Sequence, residues 1–110
     1  MERVNKIFNS TIYKEYLKRL EAYEEKREFC RHNLEHFLDM SRIAYMMVLE
    51  KNLQYSKEVI YAIGLLHDIG RVEQYEKGIG HHIASFNIAK EILKDIDFKE
   101  EEKTMIYNAS

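Results

Sequence analysis

The chain has 110 residues, 45% hydrophobic and 33% charged, with a formal net charge of -2 and the two signs interspersed. That length suits one small domain and that balance an ordinary soluble protein, with no electrostatic basis for nucleic acid or an anionic membrane as partner. No apolar run approaches the ~20 residues of a membrane span, Met1–Lys6 lacks a signal peptide's apolar stretch, and the lone Cys30 cannot form an internal disulfide, so a cytoplasmic protein is expected.

Proline is absent, and three of the four glycines, Gly70, Gly78 and Gly80, are gathered in one stretch. A chain with its breakers so placed is expected to be helical elsewhere, with one loop in the middle. From about Thr11 to Arg27, Tyr13, Tyr16, Leu17, Leu20 and Tyr23 recur at helical steps between charged residues, which predicts an amphipathic helix. A second helix is expected from about Arg31 to Lys51. In it His32, His36, Met40, Ile43 and Met47 form a core-facing stripe, and Arg31, Glu35, Asp39 and Arg42 a polar one. Ser56 then caps a third helix with Glu58 in its first turn. Its run Val59–Leu66 is apolar nearly all round, as in a helix buried at the centre of a domain. It leads into His67-Asp68-Ile69-Gly70, with Gly70 suited to a left-handed position after the helix. Arg71 to Gly80 reads as a polar connection. A fourth helix from about His82 to Lys94 turns Ile83, Ala84, Ile88, Ala89, Ile92 and Leu93 inward. Asp97 then caps a fifth helix, with Glu100 three positions on, and apolar surface is expected near Met105 and Ile106.

Three of the five histidines, His36, His67 and His81, are candidate metal ligands. Neutral imidazole and carboxylate together suit Mn, Fe, Co, Ni or Zn. A catalytic site needs about three protein ligands and an open position for water, whose pKa the ion lowers. His67 and Asp68 are adjacent and cannot share one helix face. At a helix end, however, the backbone can turn both to one point, and His36 from the long second helix would tie two helices together. The blander reading is a core histidine and a helix-end cap.

From Phe29 to about Tyr107 the chain resembles the HD domain, a family of metal-dependent phosphohydrolases named for its His-Asp pair. The resemblance rests on His36-Phe-Leu-Asp-Met-Ser-Arg-Ile-Ala44, on Ala62-Ile-Gly-Leu-Leu-His-Asp-Ile-Gly-Arg71, and on His81-His-Ile-Ala-Ser85 before Ile88–Leu93. It is similar above all to small stand-alone bacterial HD proteins. The resemblance implies an all-α, HD-type bundle of about five helices. It also implies a divalent transition metal held by His36, His67 and Asp68, whose bound hydroxide attacks phosphorus in a nucleotide or other small phosphate ester or anhydride. Asp68, His81 and Arg71 would act in catalysis. Arg31, Arg71 and Tyr75 would hold the substrate, although both arginines can equally be solvated surface and Tyr75 can simply cover the core. His32 and His82 are neighbours of these positions. No position here matches the family's last aspartate ligand, which lies on a helix beyond the region matching Thr104–Ser110. The expectation is therefore one helical domain over 1–110, with its core at 29–107, lacking the family's C-terminal helices. A second copy would cover the exposed core face as a homodimer. The competing expectation is a non-catalytic remnant that binds metal or nucleotide weakly or serves only in helical association.

Overall fold

The computed structural model describes residues 1–25 and 32–109, so Cys30 and Arg31 lie outside the described residues. It is all-helical among them, as the periodicity predicts. The order is α1 (Glu2–Asn9), α2 (Thr11–Glu24), α3 (Leu34–Glu50), α4 (Lys57–Leu66), α5 (Arg71–Lys77), α6 (His81–Leu93) and α7 (Glu100–Asn108). The expected count of about five falls short because α1 and α5 are short helices that local pattern did not reveal. Arg71–Gly80 is thus a helix rather than a loop for most of its length. Each of the two helices carries only one or two buried side chains, Val4 and Ile7 on α1 and Val72 on α5.

Helix α4 is central, packing on α1, α3, α6 and α7. Its composition explains this: Val59, Ala62, Gly64, Leu65 and Leu66 are all buried, and the Ser56 hydroxyl caps its start by accepting from the Val59 N–H at 3.1 Å. Burying its apolar surface against four neighbours is the main favourable term available to the fold. The buried apolar side chains form one continuous cluster that also takes in Tyr13, Leu17 and Leu20 of α2 and Ile88, Ala89, Ile92 and Leu93 of α6. Tyr13 is fully buried, and its hydroxyl donates to the Leu65 carbonyl at 2.9 Å.

Helix α3 presents a different face from the expected one. Phe37, Ser41 and Val48 are its buried residues, whereas Met40, Ile43 and Met47 are each about half exposed. The rotation follows from the crossing with α4. A Cβ on Gly64 would stand 1.7 Å from Ser41 Oγ and 3.2 Å from the Phe37 carbonyl oxygen, so the two backbones meet where only glycine fits. Ser41 Oγ turns back to donate to the Phe37 carbonyl at 2.7 Å, which keeps the small polar side chain satisfied inside the crossing.

Gly70 also departs from expectation. Its φ is -70°, an ordinary right-handed value, and the left-handed glycine is Gly78, at φ 70° after α5. Gly70 is required by proximity instead. A Cβ there would fall 2.3 Å from the Ser85 nitrogen and 2.4 Å from the His81 carbonyl oxygen, while its own N–H donates to Ser85 Oγ at 2.8 Å. This contact brings the start of α6 against the end of α4.

On α6, Ile83 is 64% exposed and so is not an inner residue; Ala84 is buried as expected, and Ser85 is buried beside it. The cap of α7 is Lys99 rather than Asp97, and the Glu102 carboxylate accepts from the Lys99 N–H at 2.9 Å. Phe98 is buried and holds the preceding segment against the core, which delays the helix start by two residues. Ile106 is buried and Met105 partly so, contrary to the expected exposed patch. Helix α3 carries a group of exposed apolar side chains instead, at Met40, Ile43, Met46, Met47 and Leu49. The N-terminus is fastened by Arg3, whose guanidinium meets Glu58 at 2.9 Å and Glu102 at 2.8 Å while resting on the Phe98 ring. No described helix is long and apolar enough to cross a membrane.

Candidate metal centre around Asp68

Helix α4 ends at His67, so His67 and Asp68 leave the dry core where the backbone turns. Asp68 then becomes a meeting point. Its Oδ2 lies 3.3 Å from His67 Nε2 and 3.4 Å from His32 Nε2; its Oδ1 lies 3.7 Å from His81 Nε2 and 3.6 Å from Arg71 Nε. The four cationic or basic groups come from the end of α4, the approach to α3, and the starts of α5 and α6. Of the residues expected to act together, the structure brings His67, Asp68, His81 and Arg71 to one place.

Each ring is oriented from behind. His67 Nδ1 faces the carbonyls of Gly64 and Ile63 at 3.0 and 3.2 Å, which marks Nδ1 as the donor and leaves Nε2 toward Asp68. Phe37 packs edge-on against the same ring at 5.8 Å. His32 is nearly buried, and its backbone N–H donates to Glu24 Oε1 at 3.0 Å while its Nδ1 contacts the same oxygen. Glu24 is itself 1% exposed, and its other oxygen accepts from the Tyr75 hydroxyl at 2.5 Å. The Tyr75 ring stacks on Tyr23 at 5.2 Å. His81 stacks on His82, which is otherwise exposed.

His36 sits one turn beyond His32, with its backbone N–H capped by Asn33 Oδ1 at 2.8 Å. Its ring lies 5.7 Å from that of His32 and 6.2 Å from that of Phe37. It thus stands beside the cluster, next to His32. Sequence reasoning gave His32 only as a neighbour of the candidate ligands and did not single out Glu24. The four-residue step from His32 to His36 was a visible signal for the former; nothing local marks Glu24, whose role depends on the fold.

Electrostatics follow the geometry. Burial opposes the charged form of Asp68, but the hydrogen bond and charge of His67, with Arg71 and His32, prevail and hold its pKa down to about 2. Burial pulls His67 down, yet the Asp68 hydrogen bond and charge hold it above the usual histidine value. Burial pushes His81 below it, helped by the positive charge of Arg71. Arg71 Nε is buried and makes no hydrogen bond, facing Asp68 Oδ1 at 3.6 Å.

The donor chemistry suits a divalent transition ion. Ligands sharing one ion at about 2.1 Å stand roughly 3.0–3.4 Å apart, which the His67–Asp68 and His32–Asp68 spacings match pairwise. Among the described residues no three His, Cys, Asp or Glu donors form a closed set on one point. The donor types around Asp68 are those such an ion takes, and they face the carboxylate in pairs. A groove of about 380 Å³ lies elsewhere, between α2, α5 and α6, with Glu15, Glu73 and Glu91 on its rim. Those carboxylates repel phosphate, so its size does not make it the active site. His67 also borders an apolar groove of about 170 Å³ lined by Met40, Ala44, Ile60 and Ile63.

The family model for the HD domain matches residues 33–108, which span α3 through α7 and contain His36, His67, Asp68 and His81. An uncharacterized protein of Clostridium beijerinckii is 50% identical over 106 residues, covering 96% of this chain and 68% of that protein. No solved structure matches. With its His-Asp pair at the end of a buried central helix and the family model matched over most of its length, the chain belongs to the HD-domain family.

Proposed function

We propose that the chain is a metal-dependent phosphohydrolase acting on a nucleotide or another small phosphate ester or anhydride. The observation that supports this most is the convergence of His32, His67, His81 and Arg71 on one carboxylate at the edge of the core. The family to which it belongs comprises metal-dependent phosphohydrolases, and its domains generally bind divalent ions. In the proposed site His67, Asp68 and His36 hold the ion, with His32 as a neighbouring donor. When bound, the ion supplies positive charge to a phosphoryl oxygen and lowers the pKa of a water molecule.

The chain's own residues do the rest. Asp68 keeps its negative charge across the physiological range and orients the imidazoles that face it. Arg71, whose Nε faces Asp68 at 3.6 Å, donates through its guanidinium to a phosphoryl oxygen and fixes the phosphate in place. His81 stands across Asp68 from His67, where it hydrogen-bonds a second phosphoryl oxygen. Tyr75 acts on the site through Glu24, since its hydroxyl is already committed there. Arg31 completes the proposed phosphate-holding set, and 1–110 functions as one helical unit in the cytoplasm.

The test is release of inorganic phosphate from nucleoside mono-, di- and triphosphates with Mn²⁺, Fe²⁺, Co²⁺, Ni²⁺ or Zn²⁺, beside His67→Ala. Metal-dependent turnover abolished in the variant supports the reading, and no turnover with any ion or substrate refutes it. A second reading, a non-catalytic helical association module, is favoured by the exposed apolar side chains on α3. It predicts self-association by sedimentation, weakened by Ile43→Glu, in a protein without turnover.

A further inference from the structure

Glu24 is the one acidic side chain buried from solvent among the described residues. An uncompensated carboxylate is costly inside a protein, so its partners show what it is for. Two of the hydrogen-bonding groups it meets belong to His32: the backbone N–H at 3.0 Å and the ring Nδ1. Another is the Tyr75 hydroxyl, which holds the far oxygen at 2.5 Å. An ionised carboxylate can only accept, so the ring nitrogen it faces is the protonated one. Nδ1–H then points away from the site and Nε2 points into it, 3.4 Å from Asp68 Oδ2.

We propose that Glu24 is a positioning residue for the Asp68 site: it fixes the tautomer and orientation of His32, so that Nε2 is the nitrogen presented beside Asp68 as an additional metal donor. This deepens the metal-centre reading and rests on it. A carboxylate behind an imidazole raises its basicity and settles which nitrogen is free, and losing such a partner typically weakens metal binding about 10- to 100-fold. Tyr75, at the end of α5, secures the carboxylate from the opposite side, so α2, α5 and the approach to α3 converge on one ring.

The arrangement is read directly by nitrogen-15 spectroscopy of the imidazoles in metal-free protein at a pH where histidine is neutral, with His32 assigned through His32→Gln. The expected signature is a protonated Nδ1 on His32. Glu24→Ala should relax it toward the Nε2–H form usual for free imidazole and weaken Mn²⁺ binding by about 10- to 100-fold in titration calorimetry. Glu24→Gln keeps an acceptor oxygen, so it should retain the tautomer and lose less affinity. If Glu24→Ala does not fold, the wild-type signature and Glu24→Gln decide the question. A wild-type His32 protonated on Nε2 overturns the proposal, as does a folded Glu24→Ala with unchanged tautomer and Mn²⁺ affinity. Wild-type protein that shows the Nδ1–H form but binds no ion refutes the metal centre and leaves the positioning of His32 by Glu24 standing.

Discussion

Replacing Gly70 with alanine should separate α6 from α4 and weaken both the fold and the site. The new methyl would sit 2.3 Å from the Ser85 nitrogen, 2.4 Å from the His81 carbonyl oxygen and 2.6 Å from Ser85 Oγ. Two of these are backbone atoms of α6, so relief requires that helix to retreat by about 1 Å rather than one side chain to swing aside. Overpacking of this kind costs about 1–3 kcal/mol. The retreat also stretches the 2.8 Å bond from the Gly70 N–H to Ser85 Oγ, and a buried unsatisfied N–H costs a further 1–3 kcal/mol or so. Against this, alanine restricts the unfolded chain and returns about 0.4–1 kcal/mol where its φ is compatible, as -70° is. The net loss is on the order of 2–4 kcal/mol, a fall in melting temperature on the order of 10 °C for a protein this size. Urea and thermal unfolding in chelator measure it. Metal-dependent phosphate release should fall with it, because His81 leaves Asp68 with the start of α6. A Gly70→Ala protein that melts with the wild type, or higher, would show that the α4–α6 contact is not close enough to demand glycine.

Gly64→Ala meets Ser41 Oγ at 1.7 Å and should destabilise by about 1–3 kcal/mol, with Ser41→Gly in the same chain restoring much of the loss on the melting curve. Arg3→Ala should cost about 1–2 kcal/mol at low salt and less at high salt, since Arg3 joins α1 to Glu58 and Glu102 near the surface. The Glu102 carboxyl, bonded to Arg3, and the Glu58 carboxyl, where the Arg3 bonds outweigh burial, are both held below the ordinary value of 4.5. That stability is present above pH 4.5 and lost as pH falls through the lower folded values, so the gap between wild type and Arg3→Ala should close in acid. In chelated protein the His67–Asp68 pair works at both ends. The raised His67 value gives stability that is full below 6.5 and lost as pH rises through it, while the lowered Asp68 value gives stability present above 3.8 and lost as pH falls toward about 2. Melting temperature should therefore peak between roughly pH 4 and 6.5, and His67→Ala should flatten the peak; an unchanged profile would refute the pairing.

Local chemistry made α4 legible. An apolar run behind a serine cap and ahead of His67-Asp68 has few other homes than the centre of a helical domain, and the structure puts it there. Helix α3 was harder, because Leu34, Phe37, Leu38, Met40, Ile43, Met46, Met47 and Leu49 surround it with apolar side chains. Its buried face is chosen by the close pairing of Ser41 with Gly64, a tertiary fact. Helix α5 was hidden because seven residues with one buried valine leave no period to read. Gly70 showed that some special backbone need existed at that position, but torsion and proximity leave the same mark in a sequence. His67, Asp68, His81 and Arg71 were legible as a group. The Glu24–His32 arm was not, because it joins the end of one helix to the approach to another.

The central claim is that the groups around Asp68 make a metal centre. Elemental analysis of the purified protein, set beside His67→Ala, tests it most directly. The predicted result is near-stoichiometric Mn, Fe, Co, Ni or Zn in the wild type, lost in a variant that still folds. No ion in either protein, even after reconstitution with each metal, would contradict it.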